Sequence, residues 1–155
     1  MRGDLSPADN CARPRSPPES AADMLKNSLR WLLAILMIFV GIQHFVAPQQ
    51  FVDIVPPYLP WPLALVYISG FFEILGGVGL LIPRLTPYAA WGLVALYVAV
   101  FPANLHMALN NIPLGDTPVS PLFLWLRLPL QLVLIAWAWW LTQPSPPSFG
   151  TKPQS

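Results

Sequence analysis

Four apolar stretches, each about as long as a bilayer is thick, restrict this chain more than any other feature of its sequence. They cover about 29–47, 61–82, 86–109 and 121–142. Each holds about 19 to 24 residues, and a helix crossing the hydrocarbon needs roughly 20. The portion from Trp31 to Ile42 has no polar side chain. Glu73 is the only charge in the second stretch, the third has none, and Arg127 is the only one in the fourth. In lipid every backbone group must be satisfied within its own segment, so the stretches read as helices. The fold class predicted is an all-α, integral membrane four-helix bundle.

Composition agrees. Charged residues make up 10 % of the chain, against about 25 % in a soluble domain. The net charge is +1 and the basic residues do not cluster, which excludes a nucleic-acid footprint. The single cysteine, Cys11, rules out an internal disulfide and a cysteine metal cluster. Residues 1–23 and 144–155 are polar and Pro-rich, and their composition predicts disordered tails. Met24, followed by Leu25-Lys26-Asn27 and the first apolar run, is a second candidate start.

Orientation follows from Lys and Arg. Arg2, Arg13, Arg15, Lys26 and Arg30 lie in the N-terminal flank of the first stretch and its first residues, Arg84 lies between the second and third, and Lys152 follows the fourth. The other two links carry Asp53 and Asp116 and no Lys or Arg. Both chain ends are therefore expected in the cytoplasm. Trp31, Trp61, Trp139 and Trp140 fall near predicted helix ends, as an interfacial belt requires.

Polar residues inside the stretches mark the candidate site. Ser69, Gly70, Glu73, Gly76 and Gly77 recur at three- and four-residue spacing and share one helix face. Small residues let helices approach closely, so Glu73 is expected in a helix contact, about 17 Å from the outer end at 1.5 Å per residue. Arg127 and Gln131 share a face, with Arg127 about 10 Å deep by the same rise. An intramembrane cation is costly unless paired, and Glu73 is the only opposite charge at hand, so the two are expected to pair or to meet through water. His44, Asn104 and His106 fall in the same outer half. Six residues thus form one predicted polar pocket: His44, Glu73, Asn104, His106, Arg127 and Gln131. Each also has a plainer role, as a helix cap, a headgroup contact or a tie between helices.

Asn104 and His106 are about 200° apart on a helix, so Asn104 is expected inward and His106 toward the rim. That spacing disfavours a haem held by His44 and His106, and zinc needs more ligands than these. Pro102 and Pro129 each remove a helical donor. No phosphate loop, nucleophile elbow or Ser-His-Asp set is present, and no residue is assigned a catalytic role.

Several blocks resemble the DoxX family of small bacterial membrane proteins. They are Gly41-Ile42-Gln43-His44-Phe45 with Pro48 and Phe51, Pro56-Pro57-Tyr58-Leu59-Pro60, Ser69-Gly70-Phe71-Phe72-Glu73-Ile74-Leu75-Gly76-Gly77, and Phe101-Pro102-Ala103-Asn104. The resemblance covers about 25–142. It implies a four-helix fold in a bacterial cytoplasmic membrane and, more loosely, a small subunit or anchor of a quinone-linked oxidoreductase that is not catalytic alone. Quinone is the cofactor implied, and an oxidoreductase subunit or a second copy of the chain the partner. A small-solute transporter and an assembly protein without ligand are the alternatives.

Overall fold

The computed structural model describes residues 21–113 and 120–143. These form helices α1 (Ala21–Val46), α2 (Gln49–Val52), α3 (Pro62–Leu81), α4 (Thr86–Asn110) and α5 (Pro121–Thr142), with no strand among the described residues. The chain is an all-α bundle, and α1, α3, α4 and α5 are long and apolar enough to cross a membrane. Only between 17 and 33 % of each helix's most apolar window is buried inside the bundle. Phe39, Phe71, Val98 and Leu126 are all more than half exposed. Helices apolar on every side need an apolar surround, so the outward faces belong to lipid.

Proline sets the helix starts. Pro62 and Pro121 occupy first turns, where a missing N–H is harmless and the fixed φ is already helical. Trp61, between two prolines, is held at φ 52 and ψ 59. Asn111 takes the left-handed conformation that closes α4, and Ile112 N–H bonds back to the Met107 carbonyl, a Schellman closure.

Two observations revise the expected boundaries. Helix α1 begins at Ala21, not near Leu29, so residues 21–23 of the expected tail are helical. Asp23 in the first turn suits the positive end of the helix dipole. The link 48–60 is not plain loop, for it contains α2. Residues 1–20, with Cys11, and the tail from 144 lie outside the described residues.

Helix α1 packs on α3, α3 on α4, and α4 on α5. The α1–α3 crossing is made of glycine. A Cβ on Gly41 would sit 2.8 Å from the Gly70 carbonyl oxygen, and one on Gly77 2.8 Å from that of Ala34. A Cβ on Gly76 would strike Leu93 of α4. One core cluster gathers Leu33, Ala34 and Met37 of α1 with Leu80, Leu93, Tyr97, Ala138 and Leu141. A second joins Ile54 to Met107, Ala108 and Leu124 toward the other end. The space between the two clusters is not filled.

Candidate functional site

That space is a cavity of about 370 Å³, within the range of small-molecule sites. Its walls are mainly aliphatic, with Val40, Val66, Ile68, Leu96 and Val100 from three helices. The 48–60 link roofs it with Phe51, Ile54, Val55 and Leu59. Five polar side chains enter: His44, Ser69, Glu73, Asn104 and Arg127.

His44 and Glu73 meet where α1 crosses α3, because Gly41 and Gly70 precede them by three residues and let the backbones touch. His44 Cβ would be 2.5 Å from a Cβ on Gly70. His44 Nδ1 lies 3.4 Å from Glu73 Oε2 and 2.9 Å from the Val40 carbonyl oxygen. Its single hydrogen goes to Val40, so the approach to Glu73 is electrostatic and not a hydrogen bond. Both residues are buried, and Glu73 Oε2 has no hydrogen-bond donor. The imidazole stacks on Phe51 with centroids 3.8 Å apart, which fixes its ring plane and ties it to the roof.

One form of the expected contact is not seen: Glu73 lies against the His44 imidazole of α1, and no direct Glu73–Arg127 ion pair forms among the described residues. Arg127, on α5, follows that helix's packing on α4 and donates from Nη1 to Met107 Sδ at 3.2 Å. A thioether is a weak acceptor, so the guanidinium keeps most of its donors for the cavity.

Asn104 faces the cavity and donates to Gln131 Oε1 at 2.9 Å. Gln131 in turn donates to the Tyr97 carbonyl at 2.7 Å. Tyr97 lies one residue before Val98, whose carbonyl loses its helical donor to Pro102, and α5 supplies a donor to the Tyr97 carbonyl. Gln131 is thus buried behind the cavity and not on its wall. His106 also lies off the wall, with Nδ1 3.3 Å from the Ile54 carbonyl oxygen. Of the six predicted pocket residues, the cavity gathers His44, Glu73, Asn104 and Arg127, and leaves His106 and Gln131 in supporting positions. With His106 outside, His44 and His106 do not frame a haem, and no group of three metal-binding side chains forms among the described residues.

Three contributors were not anticipated. Ser69 lines the cavity while donating to the Val66 carbonyl. Phe51 lies in the link, whose fold over the bundle has no periodic signal. Tyr97 reaches across the centre, its hydroxyl 2.8 Å from Met37 Sδ.

The same four helices carry a family signature. The sequence model of a family described as Domain of unknown function (DUF8561) matches residues 33–142. The chain belongs to this family. The matched DUF8561 segment contains every cavity-lining residue and both core clusters. No curated protein and no solved structure matches the chain.

Proposed function

We propose that this DUF8561 protein is a small membrane subunit that holds an apolar molecule with a polar head, of the quinone class, in the cavity between α1, α3, α4 and α5. The observation that carries the reading is Glu73, a buried carboxyl whose Oε2 has no donor and which lines a mainly aliphatic cavity together with Arg127. A quinol hydroxyl would donate to the Glu73 carboxyl, and the Arg127 donors suit the carbonyl of the oxidised form. Asn104, held by Gln131, sets the width of the head site, and the aliphatic walls take the rest of the molecule. When bound, such a molecule carries two electrons and two protons between partners. His44 and Glu73 hold the ionisable groups beside it, and Phe51 keeps the imidazole in place.

The resemblance to the DoxX family supports the same reading and adds its setting. That setting is a bacterial cytoplasmic membrane, both chain ends inside, and an oxidoreductase partner or a second copy of the chain supplying the electron path. The Lys and Arg distribution supports this orientation.

The test is titration of the detergent-purified, delipidated protein with a short-chain benzoquinone, read by calorimetry, for wild type, Glu73→Gln and Arg127→Gln. Saturable binding that weakens at least about tenfold in both folded variants, the loss of one charge-assisted hydrogen bond each, is expected. Binding that is absent, or indifferent to both substitutions, overturns the reading. One observation favours a second reading, in which Glu73 only ties helices: its partner lies at the glycine crossing itself. In that case Glu73→Gln unfolds the bundle.

A further inference from the structure

A second cleft lies at the opposite end of the bundle, independent of the cavity and of any function assigned to it. It is an open cleft of about 680 Å³ between the start of α1, the α3–α4 link and the end of α5. Lys26 and Arg30 stand one turn apart on α1 and both line it.

Among the described residues, the hydrogen bonds of both cations go to neutral acceptors. Lys26 Nζ donates to the Gln143 carbonyl. Arg30 Nη1 donates to the Thr86 hydroxyl at 3.3 Å, and Nη2 to Asn27 Oδ1 at 2.5 Å. These bonds orient the guanidinium without neutralising it. Arg30 Nε is buried and has no acceptor. Among the described residues, Asp23 is the one carboxylate that lines the same cleft.

A planar guanidinium beside an ammonium suits the tetrahedral oxygens of a phosphate. The position of the cleft selects the source of that phosphate. Lys26 Nζ lies 5.5 Å from the centre of the Trp140 ring, and a tryptophan at a helix end marks the level of the lipid headgroups.

We propose that this cleft binds the phosphodiester of an anionic phospholipid, with Lys26 and Arg30 as its contacts. Basic pockets between membrane helices hold lipid headgroups in the same manner.

The experiment is native mass spectrometry of the full chain, delipidated in detergent and titrated with dimyristoyl phosphatidylglycerol or dimyristoyl phosphatidylcholine. Wild type is expected to retain phosphatidylglycerol about thirtyfold better, about fivefold for each of the two cations. Lys26→Gln with Arg30→Gln removes the preference. Lys26→Gln alone, which leaves the Arg30–Thr86 bond in place, weakens it about fivefold on the same scale. Arg84→Gln, an exposed cation that does not line the cleft, leaves it unchanged. An undiminished preference in both Lys26 variants overturns the proposal. So does an equal loss in Arg84→Gln, which would mean diffuse attraction. Displacement of the lipid by millimolar inorganic phosphate would overturn the lipid as the occupant.

Discussion

Gly41→Ala is a one-methyl test of the α1–α3 crossing. The new Cβ would lie 2.7 Å from Ile74 Cγ1, 2.8 Å from the Gly70 carbonyl oxygen and 3.0 Å from the Ile74 backbone nitrogen. Two of these three atoms are backbone and cannot rotate aside. Carbon contacts settle near 3.5–4.0 Å, so the helices must part by roughly 0.5–1 Å. A gap of that size forfeits a quarter to a half of each contact's well. On the order of 30 atom pairs along the crossing, at about 0.1–0.2 kcal/mol each, then lose about 1–2 kcal/mol. Overpacking in well-filled cores has a similar range, about 1–3 kcal/mol.

Alanine also favours helix over glycine by up to about 1 kcal/mol, so the substitution needs a reference. Gly92 supplies it, because a Cβ there meets nothing within 4 Å. Gly92→Ala should be neutral or stabilising, and Gly41→Ala should be less stable than Gly92→Ala by about 1–2 kcal/mol, the packing loss alone. The assay is reversible unfolding in mixed micelles with increasing denaturing detergent, followed by helical circular dichroism. Equal stability of the two variants would refute close backbone contact as the basis of the crossing. The same parting of helices should weaken ligand binding, since His44 and Glu73 sit one turn along from the two glycines.

Other substitutions separate the polar ties. Gln131→Leu removes the bonds to both the Tyr97 carbonyl and the Asn104 amide, and should destabilise by about 1–3 kcal/mol in the same unfolding assay. Asn104→Ala breaks one bond and leaves Gln131 on Tyr97, so its loss should be nearer 1 kcal/mol. Phe51→Ala removes the ring that stacks on His44 and should loosen the roof. Faster hydrogen exchange over 48–60, with the helices unchanged, is the expected readout. Single cysteines at Asp53 and Arg84, in a chain with Cys11→Ser, should label from opposite faces of sealed vesicles. Labelling from one face would refute the assigned topology.

The sequence told much about the helices and less about their partners. Helices α4 and α5 sit where the apolar runs place them, because their ends coincide with Pro, Thr and Asn signals. The early start of α1 was hidden, since hydropathy measures the thickness of lipid and not the length of a helix. Ala21 to Ser28 forms helix outside the apolar run. Ser28 bonds back to the Met24 carbonyl there, and Asp23 favours the first turn. The roof was hidden for a different reason. Link 48–60 follows no period, and only three-dimensional packing brings Phe51 onto His44.

The partner of Glu73 was legible in principle, and the reason bears on function. Gly41 and His44 are three apart, as are Gly70 and Glu73, so two stripes of the same spacing could be laid together without a structure. Reasoning from formal charge points instead to Arg127, the only permanent cation at a similar depth. Packing decides the matter, because two glycines bring α1 and α3 into backbone contact while α5 is committed to α4. The consequence is that neither intramembrane charge neutralises the other directly. Glu73 is left with an acceptor that lacks a donor, and Arg127 with donors that have only a thioether, both on the wall of one cavity. Had they paired, the cavity would offer a ligand little beyond its aliphatic walls. Because they do not, its polar side chains stand ready for a head group that both accepts and donates.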